Sequence, residues 1–349
     1  MASTQTLKVG VLGASGYTGA DLVRLLAAHP NVEIRVLTAS QHAGKPMRAV
    51  YPHLGMLDLP DLITWEEADW SELDVVFCGL PHGTTQEIVA RMPRHLTVID
   101  LSADFRLRDP DVYAEWYGHP HGALSLQAEA VYGLTELNRA AIRNARLVAC
   151  PGCYPTAALL ALQPLLANQA ILPDDLIIDA KSGVTGAGRK VTQGLLFAEV
   201  GEGIHPYSIG RHRHAPEMEQ ELGDVVGGAL TLNFTPHLMP MNRGELVSCY
   251  VRLADGTTAD TLHTVLSKQY EGEPFVHALP MGESPATRNV RGSNYAVIGV
   301  FPDRLPGRAI VIAAIDNLVK GSSGQAIQNM NLVHGLPETT GLSQQPMFP

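Results

Sequence analysis

The chain opens with an apolar hexamer, Leu7-Lys-Val-Gly-Val-Leu12, followed at once by Gly13-Ala-Ser-Gly-Tyr-Thr-Gly19 and then by Ala20-Asp-Leu-Val-Arg-Leu-Leu-Ala-Ala-His29. Leu22, Val23, Leu25 and Leu26 recur at helical spacing, so the segment predicts strand, glycine turn and helix. Short apolar runs follow at 33–38, 74–78, 96–100 and 146–150, separated by helix-length stretches. Such runs predict a parallel sheet with helices on both faces.

Beyond residue 152 the pattern changes. The apolar runs at 176–181, 229–235, 246–253 and 309–315 are widely separated or alternate apolar with polar positions, which predicts a mixed or antiparallel sheet with one covered face. The fold class expected is α/β: a Rossmann-type parallel-sheet domain over 1–152, then an α+β domain with a mixed sheet. Residues 323–336 predict a last helix, and 337–349 a loose tail.

A length of 349 residues accommodates two cores better than one. A formal net charge of −10 argues against nucleic-acid and anionic-membrane partners, while leaving room for a small anionic substrate held by local arginines. Four cysteines in so long a chain do not form a disulfide framework, and the N-terminus runs into a strand without an apolar leader. These features predict a cytoplasmic, reduced protein.

Cys153 is the most informative residue. It lies in Leu147-Val-Ala-Cys-Pro-Gly-Cys-Tyr-Pro-Thr-Ala157, where a strand meets a Pro-Gly turn and a helix begins. A thiol in the first turn of a helix feels unpaired N–H groups and the positive dipole end, both of which favour the nucleophilic thiolate. A buried, inert cysteine is the alternative. Cys150 has redox-pair spacing from Cys153 but neither a small redox fold nor a second pair for zinc, so it reads as packing.

Gly13, Gly16 and Gly19 form a variant dinucleotide fingerprint at a helix start. The second strand closes on Leu37-Thr-Ala-Ser40 with Lys45 and Arg48 nearby. No carboxylate there repels a 2′-phosphate, so NADP is expected over NAD, with Ser40 at the discriminating position. Ser182-Gly-Val-Thr-Gly-Ala-Gly-Arg-Lys190 approaches a Walker A loop but lacks its Lys followed by Ser or Thr, which leaves a P-loop-like phosphotransferase as the alternative from another class. Arg211, His212, Arg213 and His214 precede a helix opened by Pro216 and suit an acid/base with an anion clamp; no ligand set for a metal completes them.

With Leu80-Pro-His-Gly83, Asp100-Leu-Ser-Ala-Asp-Phe-Arg106, Tyr132-Gly-Leu-Thr-Glu-Leu-Asn138 and Lys181 to Arg189 added, the chain resembles the N-acetyl-gamma-glutamyl-phosphate reductases of the aspartate-semialdehyde dehydrogenase superfamily over nearly its whole length. Where that family usually carries Asn, this chain has Cys150. The resemblance implies NADPH-dependent reduction of an acyl phosphate through a Cys153 thioester, in arginine biosynthesis; a sibling acting on aspartyl phosphate is the close alternative. It further implies cofactor contacts from Gly13, Ala14, Ser15, Gly16, Tyr17, Thr18, Gly19, Ser182, Gly183 and Asn317, and a histidine base within 210–214. His212 is chosen there for its flanking arginines. Substrate contacts are expected from Arg106, Arg211 and His214. A catalytic and oligomerisation domain over 153–317, a return of 318–349 to the first domain and a homo-oligomer, dimer or tetramer, complete the expectations.

Overall fold

The computed structural model describes residues 6–348. The chain divides into two compact units, Met1–Pro151 with Ser322–Ser343, and Gly152–Gly321 with Gln344–Pro349.

The first unit is built on seven strands: β1 Leu7–Leu12, β2 Val32–Thr38, β3 Leu62–Ile63, β4 Val75–Cys78, β5 Thr97–Asp100, β6 Val131–Tyr132 and β7 Leu147–Ala149. Their order is β3-β2-β1-β4-β5-β7-β6, and every pairing is parallel. β4, β5 and β7 are buried at every position, as strands covered on both faces must be. The direction of winding reverses at β1, which lies between β2 and β4, so the loop at its carboxyl end sits at the switch point where α/β sheets bind ligands.

The Gly324–Val333 helix belongs to this unit and packs on the Tyr17–Leu26 and Thr135–Ile142 helices. Its polar residues are buried because each finds a partner: the Asn329 amide donates to the Gly133 carbonyl at 2.8 Å, and the Gln328 amide to Glu136 at 2.9 Å. The expected loose tail is instead packed at its start. Glu338 pairs with Arg139, Asn331 donates to the Thr340 carbonyl at 2.9 Å, and Leu342 is buried.

The second unit contains β8 Ile177–Gly183, β9 His205–Pro206, β10 Asn233–Met239, β11 Glu245–Arg252, β12 Val276–Ala278, β13 Ala296–Pro302 and β14 Arg308–Ile315. The order is β12-β13-β14-β11-β8-β10-β9, with β8/β10 and β12/β13 parallel and the other pairings antiparallel. Along β10, buried Phe234, Pro236 and Leu238 alternate with more exposed neighbours, the signature of a sheet covered on one face. The Cys153–Ala167 helix lies on β11 and β14 and against the Ala215–Val226 and Ala259–Gln269 helices. It is apolar nearly all round because it is enclosed on all sides.

This unit extends past residue 317. Asp316 accepts from the backbone N–H groups of Leu318 and Val319 at 2.8 and 3.1 Å, which holds that turn in place, and the division falls after Gly321. Residues 344–349 group with the second unit rather than the first, with Met347 N–H bonded to the Arg291 carbonyl at 2.8 Å. Among the described residues no helix is long and apolar enough to cross a membrane, and no group of three or more potential metal-ligating side chains occurs.

Candidate active site

Cys153 is the first residue of its helix, with Gly152 extended at the N-cap and no side chain capping the first turn. Its N–H groups are therefore left for a ligand or water. The other three thiols are buried; burial pushes Cys150 and Cys249 up to about 12, and burial with the nearby Asp100 charge also raises Cys78 well above the usual thiol value. Cys153 alone of the four is part-exposed. Glycines crowd it: a Cβ on Gly321 would stand 2.7 Å from the Cys153 Cβ. Gly152 is also required, because a Cβ there would come within 2.4 Å of His214 Nε2. The Gly152 N–H donates to the buried Glu217 carboxylate at 2.8 Å, which sets the angle at which the helix starts.

The 207–214 loop delivers two histidines. Ser208 takes up a left-handed conformation at φ 47°, costing about 1 kcal/mol for a residue with a side chain. His212 packs edge-on against Tyr154, Tyr207 and Phe234, and against His214 at a centroid distance of 4.7 Å. Burial, then the neighbouring Arg213 charge, lowers its pKa to about 4. Its Nδ1 accepts the His214 backbone N–H at 3.1 Å, so the neutral ring carries its proton on Nε2 and offers a donor there. That leaves His212 without a free ring acceptor, while the His214 ring, from the same loop, lies over Gly152. Arg211 is exposed in the same loop.

Two groups near Cys153 were not read from the sequence. Tyr207 donates to the Tyr154 hydroxyl at 3.2 Å, and burial raises the pKa of both phenols. Glu245, the first residue of β11, pairs in register with Ser182 and Ile315 and is wholly buried. Neither of its carboxyl oxygens has a hydrogen-bond partner. The Cys153 thiol and the Ser182 hydroxyl lie beside it and favour its charge without completing hydrogen bonds in this geometry; burial and the Asp316 charge outweigh them and raise its pKa to about 8. An acidic residue opening an otherwise apolar strand was the available signal.

Ser182, Gly183 and Asn317 are brought together. A Cβ on Gly183 would meet the Asn242 carbonyl oxygen at 2.7 Å, and the Asn317 side chain accepts from Gly244 N–H at 2.8 Å and donates to the Thr185 hydroxyl at 3.0 Å. The phosphotransferase alternative fails at this loop. Gly183 ends β8 and a single tight turn, Val184–Ala187, follows, whereas a P-loop needs a helix to point its N-terminus at phosphate.

In the first unit the 13–19 loop forms a backbone cradle. Gly13, at φ 76°, would place a Cβ 2.5 Å from the Gly79 carbonyl, and a Cβ on Gly19 would lie 2.3 Å from the Gly13 carbonyl. Gly16 is open, with a Cβ meeting only the Gly13 carbonyl at 3.5 Å. The Thr38 hydroxyl accepts the Gly13 N–H at 3.3 Å, Ala14 N–H bonds the Thr38 carbonyl, and Tyr51 donates to the Ser15 carbonyl. Tyr17 and Thr18 open the following helix, which has no side-chain cap. A diphosphate fits such a cradle. Ser40 is exposed just past β2, as are Lys45 and Arg48, while Glu33 lies at the other end of that strand, paired with Arg35. Arg106 is buried, its guanidinium donating to the carbonyls of Cys150 at 2.8 Å and Leu101 at 3.1 Å.

Residues 8–145 match the family described as semialdehyde dehydrogenase, NAD binding domain, and residues 153–317 match semialdehyde dehydrogenase, dimerisation domain. An N-acetyl-gamma-glutamyl-phosphate reductase of Rhodospirillum rubrum is 59% identical over 99% of this chain and 100% of its own length. A probable chloroplastic reductase of the same name from Arabidopsis thaliana is 56% identical over 98% of this chain and 86% of its own. Among solved structures, aspartate semialdehyde dehydrogenase II of Vibrio cholerae has a TM-score of 0.70 at 18% identity, covering 94% of this chain and 98% of that one. The Candida albicans aspartate semialdehyde dehydrogenase with NADP has a TM-score of 0.68 at 20% identity over the same shares, a likeness of fold. The chain thus belongs to the semialdehyde dehydrogenase family, in its N-acetyl-gamma-glutamyl-phosphate reductase branch.

Proposed function

We propose that this enzyme reduces N-acetyl-gamma-glutamyl phosphate to N-acetylglutamate semialdehyde and phosphate with NADPH, a step of arginine biosynthesis. The observation that carries the reading is the part-exposed thiol of Cys153 at an uncapped helix start, in a chain that is 59% identical over its length to a reductase of that name.

Cys153 Sγ attacks the acyl carbon, the bond from that carbon to the phosphate oxygen breaks, and a thioester remains. Bound NADPH supplies the hydride. The thiohemiacetal oxyanion meets first-turn N–H groups of the Cys153–Ala167 helix, then collapses to aldehyde as the thiolate leaves. His214 takes up and returns protons beside Gly152, and His212 Nε2–H serves as a fixed donor. Arg106 and Arg211 hold the substrate's anionic groups. The 13–19 loop would hold the cofactor pyrophosphate, Ser40 would discriminate at its 2′-phosphate, and Ser182, Gly183 and Asn317 would supply further contacts to it.

The second unit mediates assembly into a homo-oligomer, a dimer or tetramer. Four free thiols suit a reducing compartment, and we assign the enzyme to the cytoplasm. The test is phosphate-dependent reduction of NADP with N-acetylglutamate semialdehyde beside aspartate semialdehyde. A preference for aspartate semialdehyde would overturn the substrate, and turnover without phosphate would overturn the acyl-phosphate chemistry.

A further inference from the structure

Glu245 is a buried carboxyl that no structural role explains. Neither of its oxygens makes a hydrogen bond of full geometry; the donors beside it are the Cys153 thiol and the Ser182 hydroxyl, which it meets at the first residue of β11. The groups that face it are Cys153 and Tyr154 from the Cys153–Ala167 helix, Ser182 from β8, Tyr207 beyond β9 and Asp316 beyond β14, the last paired with Arg243 at 3.5 Å. A carboxylate stripped of water and left without donors costs several kcal/mol, so such a group keeps its proton unless a partner compensates.

We propose that Glu245 is a further catalytic residue: as the neutral acid it donates its O–H to Cys153 Sγ, so that the pair holds one proton and the sulfur carries the charge. The balance is a proton transfer alone. The Cys153 S–H bond breaks, its proton passes to His214 and on to water, the electron pair stays on sulfur, and the proton already on Glu245 remains there to bond it. Acylation of Cys153 then removes the charge that the O–H was bonding, and expulsion of the thiolate from the thiohemiacetal restores it. A second negative charge at Glu245 would oppose the thiolate instead, and burial, which raises this carboxyl to about 8, suppresses that state at neutral pH.

This rests on Cys153 being the nucleophile, and the two readings are tested separately: loss of turnover in Cys153→Ser tests the nucleophile, while the pH course of its labelling in free enzyme tests its partner. Iodoacetamide labelling of the Cys153 peptide is followed by mass spectrometry across pH in the wild type, Glu245→Gln and Glu245→Leu. Gln keeps a neutral donor, so labelling near neutral pH should match the wild type, and the alkaline change expected of the wild type near pH 8 should vanish. Leu removes the donor, and labelling should slow by on the order of tenfold or more. Equal rates in Leu and wild type overturn the proposal, as does a Gln variant as slow as Leu, which would make the carboxyl an ionised acceptor. Should Leu fail to fold, an alkaline change that persists in Gln overturns it equally.

Discussion

The His214 imidazole lies over the α-carbon of Gly152, so closely that a Cβ on that glycine would stand 2.4 Å from Nε2 and 2.6 Å from Cε1. The residue before Cys153 must therefore lack a side chain for the imidazole to occupy this place. Gly152→Ala should push the ring aside and lower kcat by on the order of 10²-fold, the cost of a misplacement of about 1 Å, with little change in Tm. An unchanged kcat would remove His214 from the reaction.

The two histidines should separate cleanly by mutation. His214→Asn should lower kcat by roughly 10²–10⁴-fold, as expected for loss of a positioned acid/base. His212→Asn should do less, because its Nδ1 is occupied by the His214 backbone N–H and only its donor function is lost. The reverse ranking in steady-state kinetics would return the base to His212.

Cys153→Ser should abolish turnover, since a hydroxyl without thiolate character cannot form the thioester. In the folded protein iodoacetamide should label Cys153 and spare Cys78, Cys150 and Cys249, which are buried. Substrate should protect it. Labelling of Cys150 at a comparable rate would contradict the burial that holds its pKa near 12.

NADPH should be preferred to NADH, because β2 ends at Thr38 with exposed Ser40 beyond it and the acidic Glu33 at the opposite end. Ser40→Asp should narrow the preference by repelling the 2′-phosphate. Equal kcat/KM for the two cofactors in the native enzyme would show that this strand end does not discriminate.

Glu245 also makes a stability prediction. Its folded pKa of about 8 lies above the ordinary 4.5, so the folded state holds a proton that the unfolded chain releases. Its contribution to stability is present below about 4.5 and is lost as pH rises to about 8, at no more than about 1.4 kcal/mol per pH unit. Glu245→Gln, which cannot ionise, should therefore gain in Tm relative to the wild type as pH rises through that window. A constant difference in Tm across it would mean that Glu245 is ionised throughout.

Much of the first unit could be read from the chain. β1 was predicted over its full extent and β2, β4, β5 and β7 to within a residue at each end, because continuous apolar runs bounded by turns have little alternative to burial on both faces of a parallel sheet. In the second unit β10 begins at Asn233, four residues beyond the predicted start, and β12 and β13 went unpredicted, since short strands of a mixed sheet take their identity from their neighbours. The tail departs from the expected loose segment for a related reason: Glu338 and Leu342 look like ordinary surface and loop residues until Arg139 pairs with the first and the fold buries the second.

The sequence by itself determined where the proposed nucleophile stands and where the glycine cradle forms, because both depend on local backbone: a Pro-Gly turn opening a helix around Cys153, and glycines at 13, 16 and 19 opening another. Tertiary structure alone decided which histidine faces Gly152, which tautomer His212 holds and which carboxyl stands beside the thiol. His212 and His214 are two residues apart on one loop, and Glu245 is 92 positions from Cys153. Proton affinity in such a cluster is set by burial and by groups from four or five separate elements, and no spacing along the chain encodes that convergence.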